Sequence, residues 1–241
     1  MNRLMAKTVD WIFLAALILL LSLWTYQRNA LWANEMAFWE DCVKKAPRKE
    51  RAHHNLGFVY YELGQSDDAK REFEEALRLT PDYALSFYNL GLVYYRKGLL
   101  TEAVSHYRKA IELCPTLSNS YYNLGLAYHH LGRYPEAICA YEELLRLKPN
   151  YENAYNRLGL AYAQLKQWNK AIQSFQRELS QHPNNFSAHI YLGETYMELK
   201  EGSKALSHFQ KALAYPHVTE GEKILKMVSK LEAAQKEKRR K

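Results

Sequence analysis

Two pairs of adjacent histidines, His53-His54 and His129-His130, are the residues whose type could hold a metal. Neighbours on a helix point about 100° apart, so neither pair forms a good chelate by itself. The three cysteines, Cys42, Cys114 and Cys139, allow at most one internal disulfide. They read as half-buried thiols, with a 114–139 bridge as the alternative. The carboxylate pairs Glu74-Glu75 and Glu142-Glu143 read as solvated helix faces. No GxSxG, HExxH or CxxC motif and no Gly-rich phosphate loop occurs. The expectation is therefore no catalytic residue, no metal site, no cofactor and no enzyme. The recurring residue with binding chemistry is asparagine. Asn55, Asn89 and Asn123 stand 34 apart, and Arg157 and Tyr191 continue the series. A carboxamide both donates and accepts, so a ladder of them can hydrogen-bond an extended peptide backbone without reading its side chains.

That spacing extends to the residues that must position the ladder. Gly57, Gly91, Gly125, Gly159 and Gly193 step by 34, and so do Pro47, Pro81, Pro115, Pro149 and Pro183. The two strongest structure breakers recurring in lockstep indicate a solenoid of repeats. With repeats starting at Glu50, Ala84, Ser118, Glu152 and Phe186, position 7 is Leu, position 8 Gly, position 11 Tyr and position 20 Ala in all five. Position 24 reads Phe73, Tyr107, Tyr141, Phe175 and Phe209. Positions 4, 7, 8 and 11 share one helical face, as do 20, 24 and 27, so each repeat holds two amphipathic helices. Gly at position 8 and Ala at position 20 let those helices approach closely. Pro at position 32 ends the second helix. Gly64, Gly98 and Gly132 at position 15 suit a left-handed C-cap. Lys166 and Lys200 replace that Gly, so those two turns are expected to be less regular.

This pattern resembles the tetratricopeptide repeat (TPR) family over residues 50–217, with repeats 50–83, 84–117, 118–151, 152–185 and 186–217. The resemblance implies an all-α solenoid, a right-handed superhelix of helix-turn-helix repeats. It departs at position 4, never Trp here but His53, Phe87, Tyr121, Tyr155 and His189. Residues 28–49 carry a juxtamembrane helix resembling the second helix of an incomplete repeat, with Trp39 at position 24 and Pro47 at position 32. At the other end, 218–241 reads as a capping helix with a basic tail. Thr219 and Glu222 form a capping box, and Ile224, Val228 and Leu231 form an apolar seam.

The stretch WIFLAALILLL over 11–21 is apolar without a break. Residues 9–27, after the 1–8 tail, are long enough to cross a bilayer's roughly 30 Å hydrocarbon core, with Trp11 at one end and Trp24 and Tyr26 at the other. The bulky Trp24-Thr25-Tyr26-Gln27-Arg28 is a poor cleavage site, which favours an uncleaved anchor over a signal peptide; a buried core helix is a third reading. Arg3 and Lys7 precede the span and only Arg28 closely follows it, which places the repeats outside the cytoplasm, in the periplasm if the source is bacterial. Residues 26–57 also resemble the junction between the last membrane helix and first repeat of membrane glycosyltransferase-like TPR proteins, whose many-span catalytic part has no counterpart in this sequence. The net charge is +7, of which the last six residues hold +4. That distribution argues for a solvated basic tail and against nucleic acid as a partner.

In the TPR family, positions 2, 5, 6, 9, 12 and 13 of the first helix line a concave groove. The resemblance therefore assigns partner binding to Arg51, Asn55, Phe58, Tyr88, Asn89, Leu92, Arg96, Tyr122, Asn123, Leu126 and Arg157. His54 and Phe58 stand where chaperone-binding members carry the first Lys and Asn of a carboxylate grip, so that grip is not reproduced. The expected partner is a protein or peptide segment with hydrophobic side chains. The sequence reads as a single-pass, membrane-anchored adaptor or scaffold in a membrane or envelope complex. The alternatives are an accessory subunit of a glycosyltransferase or polysaccharide-assembly system, and a self-assembling scaffold.

Overall fold

The computed structural model describes residues 17–22, 34–215 and 221–240. After the helical residues 17–22, twelve helices follow one another among the described residues: α1 (Glu35–Lys45), α2 (Glu50–Glu62), α3 (Ser66–Leu79), α4 (Ala84–Arg96), α5 (Leu100–Leu113), α6 (Ser118–His130), α7 (Tyr134–Leu147), α8 (Ala154–Gln164), α9 (Trp168–Gln181), α10 (Phe186–Glu198), α11 (Gly202–Leu213) and α12 (Gly221–Arg240). Gly202 and Gly221 open helices. Few helices have a side-chain N-cap. Asn34 accepts from the Ala37 amide at 3.3 Å and Asn185 from the Ala188 amide at 3.2 Å. The others depend mainly on packing of an apolar face, as most helices of this length do.

The chain forms two compact units that divide between Val93 and Tyr94, inside α4. In the first unit α2 packs against both α1 and α3. Phe73, Ala69 and Ala76 of α3 are fully buried, facing Leu56 and Val59 of α2. A Cβ at Gly57 would stand 2.9 Å from the Phe73 ring, so the missing side chain is the space that ring fills. In the second unit each helix from α5 to α12 packs against the next. The same contact recurs: a Cβ at Gly125, Gly159 or Gly193 would lie 2.5 Å from the ring of Tyr141, Phe175 or Phe209. All three rings are fully buried. Burying one such ring contributes roughly 1.5–3 kcal/mol. The position-20 alanines Ala137, Ala171 and Ala205 are also fully covered.

The first-to-second-helix turns are uniform. Gly64, Gly98 and Gly132 have φ of 79°, 76° and 72°. Lys166 and Lys200 have φ of 57° and 60° and close the same pair of hydrogen bonds. The Lys166 amide donates to Ala163 O and the Gln167 amide to Tyr162 O, as Gly64 does to Tyr61 O and Gln65 to Tyr60 O. The expected irregularity is absent, because surrounding packing forces the left-handed conformation on two lysines that do not favour it.

The cysteines are free, and Cys139 is exposed, so the 114–139 bridge is not formed and one thiol is more open than the half-buried reading held. Residues 17–22 are helical, and Leu17, Ile18, Leu19, Leu20 and Leu21 are exposed. No helix among the described residues is long and apolar enough to cross a membrane. The remainder of the expected 9–27 span lies outside the described residues, as does Thr219 of the expected capping box. In α12, Ile224 is almost completely buried, with Val228 and Leu231 partly covered beside it.

Candidate functional site

In the first unit, Arg51, Asn55 and Phe58 follow one another at helical spacing on α2. Arg51 is exposed, Asn55 half-buried and Phe58 exposed at 43%. Tyr88 and Leu92 of α4 are half-buried. Asn89 is not a surface rung: only 6% of it is exposed. His54 also departs from its expected groove position. It is buried, its Nδ1 lies 3.0 Å from Ser86 Oγ, and its ring stands edge-on to Tyr83. Burial lowers its pKa to about 4. His53 is a satisfied core residue, with Nδ1 2.7 Å from Glu72 Oε2 and Nε2 3.1 Å from Pro47 O.

In the second unit, Arg96 is exposed and Tyr122, Asn123, Leu126 and Arg157 are half-buried. Asn123 Nδ2 donates to Asn119 O at 3.0 Å within its own helix, so one of this carboxamide's donors is spent locally. Arg157 is the chemically distinctive member. Burial opposes its charge, yet the hydrogen bond to Tyr122 and the nearby Tyr141 and Tyr191 hold its pKa above the ordinary value. Tyr95 and His129 also feel its charge. No carboxylate among the described residues pairs with the Arg157 guanidinium. The Tyr141 hydroxyl is buried without a hydrogen-bond partner, and Arg157 acts on it electrostatically. Three repeats carry Phe where Tyr141 stands, so this hydroxyl is a local addition to the core. The result is a cation and an O–H donor grouped beside Tyr122, with no acceptor supplied by an acidic side chain.

The spacing did not disclose a second polar cluster. Glu178 occupies position 27, where other repeats carry Ala or Leu, and is fully buried. Its Oε1 accepts from the Asn153 amide at 3.1 Å and Asn185 Nδ2 at 3.0 Å, and lies 2.9 Å from His182 Nδ1. Asn153 adopts φ 61° there. The cluster ties the loop before α8 to the loop before α10. The only signal for it in the sequence was the charged residue at an apolar slot. Among the described residues no group of three or more His, Cys, Asp or Glu side chains could hold a metal ion.

Stacked helix pairs with a fixed internal register define a helical-repeat protein of the interaction type. The repeats are tetratricopeptide repeats: the descriptions "TPR repeat" and "Tetratricopeptide repeat" match residues 59–98 and 82–150, and "Anaphase-promoting complex, cyclosome, subunit 3" matches 135–212. Solved TPR proteins share the fold. A crystal structure of MamA is 28% identical, covering 66% of this chain and 93% of its own, with a TM-score of 0.64. PilW, described as a widely conserved type IV pilus biogenesis factor, is 22% identical, covering 83% and 94%, at a TM-score of 0.72. YrrB, described as a TPR protein with an unusual peptide-binding site, is 22% identical, covering 73% and 91%, at 0.65. Among curated proteins, the Caenorhabditis elegans protein O-mannosyl-transferase F38B6.6 is 30% identical over 77 residues. That match takes in 32% of this chain and spans about a tenth (11%) of the enzyme.

Proposed function

We propose that the chain is a membrane-anchored TPR adaptor whose first helices receive an extended protein segment. TPR scaffolds for protein–protein interaction are the class to which the repeats belong. The observation that carries the binding role is Arg157, a half-buried guanidinium beside Tyr122, Tyr141 and Tyr191 with no acidic partner among the described residues. A buried cation is costly unless something completes its hydrogen bonds, and a docked segment's carbonyl or carboxylate does so. Exposed Phe58 and half-buried Tyr88 and Leu92 in the first unit, and half-buried Leu126 in the second, give the first helices of each unit an apolar character suited to hydrophobic side chains. Anchoring through residues 9–27 rests on the unbroken apolar run and is supported by the exposed leucines of 17–21. The charge asymmetry around that run places the repeats outside the cytoplasm. Confinement beside membrane proteins raises a partner's effective concentration.

The test is crosslinking from native membranes with the intact chain and with Asn55→Ala, Phe58→Ser, Asn123→Ala and Arg157→Gln combined. Helical circular dichroism verifies folding. A partner captured by the first and lost by the folded second supports the reading. A partner retained by the second moves binding off these faces. The O-mannosyl-transferase match favours a second reading, an accessory subunit of a membrane glycosyltransferase. Co-purification of a polytopic transferase in the same experiment selects it.

A further inference from the structure

Repeat positions 4 and 23 face each other between the two helices of a repeat, and their occupants differ. In the first repeat they are His53 and Glu72, 2.7 Å apart, with the second His53 nitrogen already held by Pro47 O. In the third and fourth they are Tyr121 with Ala140 and Tyr155 with Ser174. In the fifth they are His189 of α10 and His208 of α11, whose Nδ1 atoms are 3.1 Å apart. We propose that His189 and His208 form a two-histidine chelate for a borderline divalent transition metal, of which Zn2+ is the representative. The distance is the first argument. Ligands about 2.0–2.1 Å from Zn2+ stand roughly 2.9 Å apart at a right angle and roughly 3.3 Å apart at the tetrahedral angle. The observed separation falls between these values with no movement of either helix. A metal at that distance from both nitrogens sits off the line that joins them, so each ring must rotate to aim its Nδ1 lone pair at it.

That proton has a destination. With both rings neutral, one Nδ1–H donates to the other Nδ1. Transfer of that hydrogen to its own ring's Nε2 gives two Nδ1 lone pairs and releases no proton to solvent. The neutral form is the one that ligates. Burial lowers the pKa of both rings, His208 to about 4; His189 adds to the effect on His208, and Lys211 adds to it on both. Tyr196 stacks on His208 at 5.6 Å with an interplanar angle of 16°, which fixes the orientation of that ring. Both histidines are half-buried, so solvent reaches the metal and completes its coordination. Lys211 is the opposing feature, since its charge repels a cation as it repels a proton. Imidazole nitrogens with open positions suit Zn2+, Ni2+ or Cu2+ rather than a hard cation.

The experiment titrates ZnCl2 into the full chain in detergent micelles and reads calorimetric binding and the thermal midpoint. The comparison variant is His189→Tyr with His208→Ser, which installs the pair that the fourth repeat already tolerates. The expected result is a Zn2+ site in the wild type with a rise in the midpoint, and at least a tenfold loss of affinity in the double variant. His130→Gln leaves that site intact. If the double variant does not fold, His208→Gln alone decides, with the same loss expected. Absence of Zn2+ binding by the wild type overturns the proposal. So does equal binding by a folded double or single variant.

Discussion

The Tyr60 hydroxyl donates to Glu40 Oε1 at 3.2 Å, and the Tyr162 hydroxyl donates to Glu142 Oε1 at 2.7 Å. Both pairs are separated by 20 residues, in the same repeat register. Glu142 lies on the second helix of a full repeat, so Glu40 gives α1 the place of a second helix in the repeat register. The tyrosine registers this contact: burial, then the bond to Glu142, pushes the Tyr162 pKa up to about 12. Burial and Glu40 act on Tyr60 in the same direction.

It follows that α1 is part of the folded first unit. Tyr60→Phe keeps the ring and removes only the bond. The expected loss is about 1 kcal/mol, a typical net hydrogen-bond contribution. Urea denaturation of the full chain in micelles measures it, with Tyr162→Phe as the matched control. An unchanged midpoint for Tyr60→Phe alongside a lowered one for Tyr162→Phe detaches α1 from the unit.

The two left-handed lysines give a prediction of opposite sign. Non-glycine residues in this region carry a cost of roughly 1–2 kcal/mol, partly offset because Gly has more freedom to lose on folding. Lys166→Gly and Lys200→Gly are each expected to stabilise by about 0.5–1 kcal/mol. Gly64→Ala, at φ 79° with nothing within 4 Å of the new Cβ, is expected to destabilise through the backbone alone. Thermal melts of the three variants decide. Destabilisation by either Lys-to-Gly change shows that the lysine side chain contributes more than its strain.

Much of this was legible in the sequence. Gly125, Ala137 and Tyr141 announced a close helix pair because only a missing side chain, a small one and a large one fit that contact. The 34-residue recurrence then placed the turns. Asn89 and His54 were misassigned to the surface because position within one helix does not say which neighbouring helices cover it. The turn at Lys166 was misjudged for a related reason: local preference was read, and tertiary packing overrode it. Glu178 stood out as a charge in an apolar slot, but its partners Asn153, His182 and Asn185 come from two loops whose proximity no periodicity encodes.

Burial of His54 makes the first unit acid-sensitive. Its folded pKa, about 4, lies below the ordinary 6.5, so the unfolded chain binds the extra proton between those values. Stability therefore falls as pH drops from about 6.5 to about 4 and is unaffected by this group above that window. The loss at the acid end is on the order of 3 kcal/mol. His54→Gln removes the titration and keeps a polar group near Ser86. Denaturation midpoints at pH 7 and pH 4.5 are expected to differ less in the variant. An equal pH dependence assigns the acid sensitivity to other groups.

Glu178 separates the value of a buried polar group from the value of a filled space. Glu178→Leu copies Leu144 of the preceding repeat and fills the same slot, but takes the acceptor from the Asn153 amide and from one N–H of Asn185, whose other N–H keeps Asn153 Oδ1, and removes the partner of His182 Nδ1. Removing one partner of a buried polar cluster costs about 3 kcal/mol or more. Glu178→Gln keeps an oxygen that can accept from the Asn153 amide and Asn185, and is expected to cost less. The order of stability is thus wild type, then Gln, then Leu. The loop residues report the cause: hydrogen exchange at the Asn153 amide accelerates in the Leu variant before global unfolding. A Leu variant as stable as the wild type, with Asn153 still protected, shows that α8 and α10 hold their loops without the Glu178 side chain, and that the fourth repeat tolerates this buried polar group without depending on it.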